Sequence, residues 1–181
     1  MMKKNQDVIG RRIESTFKAL VQKDYEQALI NLFPAMDNTA RARRPNAKVG
    51  ERIKLFISDE EVLISGLALR KIFKGVKFGE YTLPEAIYKM ARNPMMHNGE
   101  LDKRMEFVEQ GMLLIGEKWI MPQSFIWAMM ISVITAPENS SEFLLGKATF
   151  TLYGQQFNVS ELWGDKSKIF EKFPPIGQAY P

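Results

Sequence analysis

Apolar residues recur at helical spacing through the first third of the chain, and this spacing restricts the fold more than any other feature. Over residues 7–22 they fall on one face of a predicted helix: Ile9, Ile13, Phe17, Leu20 and Val21. We predict a second helix after Asp24, which Pro34 kinks or shifts in frame. The pattern is typical of a helical bundle, so we predict a mainly α fold.

Two further helices are predicted between residues 48 and 73. Val49, Ile53, Phe56 and Ile57 indicate a helix over residues 48–57. The sequence Ser58-Asp59-Glu60-Glu61 has the composition of a capping box, which predicts that a separate helix begins there and continues to about Phe73.

A stretch that is apolar on all sides follows later, over residues 124–136. Its only strongly polar positions are at its ends, while its interior holds Phe125, Trp127 and Met129 among other apolar residues. A helix without a polar face must be buried. It lies either in the core of the chain or against a second subunit, and the sequence favours neither.

The rest of the second half predicts small β elements. Residues 104–109 and 112–115 are predicted to form a hairpin with a tight turn at Gln110-Gly111, with residues 118–121 as a third strand. The C-terminal part has a predicted strand over 147–153, a turn at Gly154-Gln155, a return strand over 156–159, and a helix from Ser160 that ends before Pro174. We therefore predict a single domain over residues 1–181, with a bundle over 1–136 that includes a hairpin at about 104–121, and a C-terminal extension over 137–181.

Composition indicates an anionic partner and no metal. The chain has 25 Lys and Arg against 21 Asp and Glu, a net charge of +4. With no cysteine and one histidine, it lacks the residues of a structural zinc site, and we expect no metal and no cofactor. No apolar run reaches about 18 residues, so we expect no membrane contact and a cytoplasmic location.

Two basic clusters are candidate RNA-binding surfaces. The first lies within residues 41–54 and the second within residues 70–77. Either places several cations where they can follow a phosphate backbone, although an ordinary solvated surface is the alternative for each. The candidate RNA-binding residues are Arg41, Arg43, Arg44, Lys48, Arg70, Lys71 and Lys74.

The only histidine lies in a stretch with clear local signals. Thr82 and Glu85 form a capping pair around Pro84, which predicts a helix from about Leu83 towards Arg92. Pro94 disfavours helical geometry at the preceding residue, so we predict that the helix ends or kinks between Arg92 and Asn93. Asn93 would then cap a new short turn that carries His97.

This break has a chemical consequence. On an unbroken helix, Arg92 and His97 would lie about 140° apart, whereas a redirected chain brings both to one ligand. A guanidinium binds phosphate oxygens and an imidazole moves protons near neutral pH, while Asn93 fixes the imidazole tautomer or binds a phosphate oxygen. This set suits metal-free RNA cleavage by the 2′-hydroxyl. The alternative is a histidine that only interacts with a helix end.

The motif Arg92-Asn93-x-x-x-His97, preceded by a capped helix and followed by Asn98-Gly99, resembles the signature of the HEPN superfamily. The resemblance implies a helical bundle and a homodimer in which the arginine and histidine of two subunits face each other. It implies a metal-independent endoribonuclease of a defence or toxin–antitoxin system, with His97, Arg92 and Asn93 as catalytic residues and an antitoxin or other protein as partner. Pro94 and Asn98 depart from the family pattern. The alternative is a non-catalytic HEPN-like module that binds RNA or a protein.

Overall fold

Helices form most of the architecture, as the apolar spacing predicted. The structure is a computed structural model that describes residues 8–173. Its α-helices are α1 (Val8–Val21), α2 (Tyr25–Arg43), α3 (Val49–Leu69), α4 (Leu83–Ala86), α5 (Asn93–Asn98), α6 (Ser124–Ile134) and α7 (Ser167–Lys172). A π-helical segment, Ile87–Arg92, connects α4 to α5, and short 3-10 turns occupy Pro137–Asn139 and Val159–Glu161. The prediction of a mainly α fold is confirmed.

The core lies where α2, α3 and α6 pack together. Each contributes a fully buried phenylalanine: Phe33, Phe56 and Phe125. In α6 every residue except Ser124 and Trp127 is buried within the one chain. The apolar surface of α6 is therefore buried inside the bundle. Of the two positions that the sequence left open, α6 occupies the core of the chain.

The predicted break at Ser58 is wrong, because α3 runs without interruption from Val49 to Leu69. Its buried stripe of Ile53, Ile57 and Ile64 passes through the acidic residues at helical spacing, so packing keeps the helix continuous. The helix ends earlier than Phe73, since Arg70 adopts a left-handed conformation (φ 55°) that stops it. Pro34 lies inside α2, which continues to Arg43.

The predicted hairpin at residues 104–121 is also wrong in its pairing. Strand β3 (Met105–Val108) pairs parallel with β5 (Trp119–Pro122), and β4 (Leu114–Ile115) pairs antiparallel with the other side of β5. Burial explains this order. The inward residues of β3 and β5 are aligned in register, Met105 with Trp119 and Phe107 with Met121, and all four are buried, whereas Leu114 of β4 is 51% exposed.

Two small hairpins complete the strands. One, not anticipated from the sequence, joins β1 (Lys77–Phe78) to β2 (Tyr81–Thr82) immediately before α4. The other joins β6 (Thr149–Leu152) to β7 (Gln155–Asn158), close to the predicted strands. Its turn residues Tyr153 and Gly154 both have positive φ (49° and 78°), as a two-residue hairpin turn requires.

The predicted helix from Ser160 is interrupted and forms only as α7. Gly164 has φ 71°, which ends regular structure there, and its N–H donates to the carbonyl of Ile134 at the end of α6 (2.9 Å). Residues 137–173 pack on the bundle through contacts such as the Tyr153 hydroxyl donating to the Leu67 carbonyl (2.5 Å). Within residues 8–173, none of the helices combines the length and apolar character that a membrane crossing needs.

Candidate functional site

The helix that leads to the Arg92–His97 stretch begins as predicted. Thr82 is its N-cap: the Thr82 hydroxyl accepts from the Glu85 N–H (3.5 Å), and the Glu85 carboxylate accepts from the Thr82 N–H (2.8 Å). Hydrogen bonds from the Thr82 N–H and hydroxyl lower the pKa of Glu85. The capping box therefore fixes the start of the site helix.

The chain does not leave helical geometry at Pro94, so the predicted end of the helix is wrong. Arg92 (φ −59°, ψ −51°) and Asn93 (φ −66°, ψ −48°) are both helical. The N–H of Asn93 donates to the carbonyl of Tyr88, five residues back, which is a π-helical hydrogen bond. Pro94 then falls in the first turn of α5, where a missing N–H costs little. A change from π to α geometry thus accommodates the proline, and Asn93 is not a cap.

This geometry separates Arg92 from His97 within one chain. Five helical steps place them about 140° apart around the axis. Asn93 and His97 are four residues apart and share an exposed face of α5. The imidazole makes no hydrogen bond to any side chain or backbone group within residues 8–173, so Asn93 does not fix its tautomer here.

Arg92 lies instead with Tyr88 and Lys54. The guanidinium carbon of Arg92 and the Nζ of Lys54 are each 5.8 Å from the centre of the Tyr88 ring. The Nε of Arg92 is buried and has no hydrogen-bond partner in the described part of the chain. No carboxylate among residues 8–173 lies within 4 Å of the Arg92 guanidinium. The positive charge is therefore not neutralised internally.

Gly50 allows Arg92, Tyr88 and Lys54 to lie together. A Cβ at position 50 would lie 2.7 Å from the Tyr88 hydroxyl oxygen and 2.9 Å from the ring carbon that bears it. Any larger residue would displace the ring, so α3 approaches the π-helical segment closely at this point. The sequence alone does not single out Tyr88, Gly50 or Lys54, because no local pattern relates residues so far apart in the chain.

Arg43, a predicted RNA-binding residue, lies in an internal ion-pair network. Its guanidinium donates to Glu138 (2.7 and 3.0 Å), Asp59 (3.0 Å) and Glu60 (2.9 Å), and Lys166 donates to Glu60 (2.6 Å). We call these five residues the Arg43 cluster. Burial lowers the pKa of Arg43, but hydrogen bonds to Glu138, Glu60 and Asp59 outweigh burial and raise it overall.

The other predicted RNA-binding residues differ in their availability. Arg44 donates to Asp59 (2.7 and 3.0 Å), so it too is occupied internally. The guanidinium of Arg70 lies 4.6 Å from the centre of the Tyr153 ring and has no carboxylate partner among residues 8–173. The predicted RNA-binding residues that are exposed are Arg41, Lys48, Arg70, Lys71 and Lys74.

Arg92 and His97 lie outside five surface cavities of the described residues. A surface cavity of about 270 Å³ is lined by Lys54, Thr82 and Glu85. Neither Arg92 nor His97 lines it or four others of about 230–620 Å³. Across residues 8–173 there is no group of three or more acidic or histidine side chains arranged to hold a metal ion. Arg92 and His97 therefore do not meet in any of these five cavities.

Comparison with known proteins gives one match. A family model described as Rv1289 matches residues 8–174. The chain belongs to the Rv1289 family. No curated protein and no solved structure matches it. The description of the Rv1289 family names no reaction, ligand or partner, so function has to be argued from the geometry of the site.

Proposed function

We propose that this Rv1289-family protein is a metal-independent endoribonuclease that acts as a homodimer of HEPN type. The observation that carries the proposal is an arginine, Arg92, that no carboxylate within residues 8–173 neutralises and whose buried Nε lacks an acceptor. An exposed, unbonded imidazole lies on the same helix at His97. Buried donors without partners are rare, and a phosphate oxygen is the kind of acceptor that satisfies a guanidinium.

The dimer is essential to this proposal. Within one chain Arg92 and His97 lie about 140° apart around the helix, and we propose that they contact one phosphate across two subunits. A two-fold axis beside α5 would bring Arg92 of one subunit to His97 of the partner subunit and would form two equivalent sites. This arrangement agrees with the HEPN resemblance, in which the two residues act across the interface.

Each residue then has a chemical role. His97 takes the proton from the 2′-hydroxyl or gives one to the leaving oxygen. Arg92 stabilises the charge that builds on the phosphate, and Asn93, on the face of His97, positions the ligand. The products are a 2′,3′-cyclic phosphate and a 5′-hydroxyl. The exposed cations Arg41, Lys48, Arg70, Lys71 and Lys74 are proposed to contact the RNA backbone, whereas Arg43 and Arg44 are not, because carboxylates occupy them.

The resemblance also supplies the biological part of the proposal. A ribonuclease of this type would act in the cytoplasm, in a defence or toxin–antitoxin system, with an antitoxin or another protein as partner.

A mixing experiment tests the roles and the dimer at once. Single-stranded RNA is incubated with the protein in EDTA, and products are analysed for 2′,3′-cyclic phosphate ends. His97→Ala and Arg92→Met should each abolish cleavage, while Glu100→Ala, an exposed neighbour, should not. Unfolding and reassembling the two inactive variants together should restore roughly a quarter of wild-type activity, since half of the dimers then hold one intact site.

Two results would contradict the proposal. If His97→Ala cleaves RNA as fast as the wild type, the imidazole has no catalytic role. If the wild type cleaves and both single variants are inactive, but the mixture is inactive too, the site does not form across subunits.

A second candidate function is a non-catalytic module that binds RNA. It is favoured by the separation of Arg92 from His97 around the helix and by the position of both outside the cavities described above. In that case the wild type binds RNA without cleaving it in EDTA, and His97→Ala binds as the wild type does.

A further inference from the structure

We propose that Lys54 and Arg92, whose charged groups both lie near the ring of Tyr88, form a clamp. This clamp binds phosphates of single-stranded RNA. The choice of RNA as ligand rests on the proposed function. Lys54 is not part of the motif and belongs to a different helix, α3, so the clamp adds a residue that the motif does not contain.

The first line of evidence is how these cations are held. Elsewhere in the described chain, arginines such as Arg43, Arg52 and Arg104 are fixed by carboxylates at 2.7–3.0 Å. Among the described residues, Lys54 and Arg92 have no carboxylate within 4 Å, and each lies near the Tyr88 ring. A ring positions a cation by its quadrupole but leaves its charge intact. Both cations therefore keep their attraction for an anion.

The second line of evidence is the unsatisfied donor. The Nε of Arg92 is shielded from water and unpaired among the described residues, at a cost of about 1–3 kcal/mol for a buried polar group. A ligand oxygen removes this cost when the Arg92 side chain turns to expose the atom. A phosphate suits it, since a guanidinium binds two of its oxygens in parallel.

The third line of evidence is the close approach at Gly50, which fixes the position of Tyr88. Lys54 lies four residues after Gly50 on α3, and so lies one turn along the same face. Glu85 lines the same cavity as Lys54, and the charge of Lys54 contributes to lowering the pKa of Glu85, after the hydrogen bonds from Thr82. The fold thus places two cations from separate helices on one ring.

Binding of a 2′-O-methyl RNA oligonucleotide tests the clamp without any cleavage, because this RNA has no 2′-hydroxyl to react. Fluorescence anisotropy is measured from 50 to 200 mM salt for the full-length protein. Lys54→Met should weaken binding about tenfold at 50 mM salt and reduce the slope of log K against log salt by about 0.7, as expected for one lost phosphate contact. The matched control is Lys103→Met, an exposed lysine before β3.

The role of the ring is tested by two substitutions of Tyr88. Tyr88→Phe keeps an aromatic face and should bind as the wild type does, whereas Tyr88→Leu removes it and should weaken binding as much as Lys54→Met. Thermal unfolding of each variant is measured alongside, so that a binding loss is compared at equal folded fraction.

The outcomes separate the clamp from the proposed nuclease. Should Lys54→Met bind like Lys103→Met, or should Tyr88→Leu bind like Tyr88→Phe, the clamp is refuted even if RNA cleavage depends on His97. If the Lys54 and Tyr88 effects appear while the wild type never cleaves RNA, the clamp is supported and the nuclease fails.

Discussion

Replacing Arg43 by methionine should destabilise the fold strongly, because Arg43 joins α2 to α3 and to the segment after α6. The Arg43 side chain is 17% exposed and that of Glu60 only 1%. Removing one partner of a buried ion pair costs about 3–5 kcal/mol, since the other charge is left without compensation. Lys166 still pairs with Glu60 in the variant, so we expect the lower end, about 3 kcal/mol.

This loss is large enough to measure by two methods. In a protein of this size 1 kcal/mol corresponds to roughly 2–4 °C, so the melting temperature of Arg43→Met should fall by about 6–12 °C. Urea unfolding followed by circular dichroism gives the free energy directly. The matched control is Arg44→Met, which removes a more exposed pair with the same Asp59 and should cost at most about 1 kcal/mol.

A double variant checks the physical reason. In Arg43→Met/Glu60→Met the buried carboxylate is gone, and Lys166, 27% exposed, can turn to water. The double variant should therefore be more stable than Arg43→Met alone. If Arg43→Met is as stable as Arg44→Met, or if the double variant loses the sum of both single effects, the Arg43 cluster does not hold the helices together as described.

Three smaller predictions follow from single contacts, each checked by urea unfolding. Thr82→Ala should cost about 1 kcal/mol through the lost cap, and a cost near zero would show that the capping box is redundant. Phe125→Ala should cost about 3–5 kcal/mol, because the side chain is fully buried in α6; a loss under 1 kcal/mol would contradict this packing. Burial raises the pKa of Glu61 above 4.5, against the opposing hydrogen bond from Gly75, so its contribution to stability is present below pH 4.5 and is lost as pH rises through the raised pKa. Glu61→Gln should flatten that decline, and an unchanged pH profile would refute it.

Local patterns predicted the local parts of the fold. The first helix is predicted over residues 7–22 and spans Val8–Val21. The prediction succeeds because the spacing of the apolar residues shows which face of the helix is buried. The capping box at Thr82 was identified for the same reason: donor and acceptor lie within three residues.

Local sequence patterns did not predict the parts of the fold that depend on packing between residues far apart in the chain. The residues at Ser58 can cap a helix, but they also fit inside one, and the buried stripe of α3 keeps it continuous. The parallel pairing of β3 with β5 depends on burying two apolar faces together, which a turn signal at Gln110 cannot reveal. In the candidate site, Pro94 indicated that the helix ends or kinks, whereas the π-helical segment keeps the chain helical there and leaves Arg92 and His97 about 140° apart. Lys54 and Tyr88 are 34 positions apart, and only folding makes them neighbours.

The ion pair of Glu60 joins residues that are far apart in the sequence, and this separation has a consequence for folding during synthesis. Its lysine partner follows 106 residues later, and the backbone N–H of Gly10 donates to Glu142, 132 residues later. A chain emerging from the ribosome completes most of its helices before either contact can form. Final consolidation therefore waits until residue 166 has been synthesised. Products released before that point should stay loosely packed and be cleared by proteases.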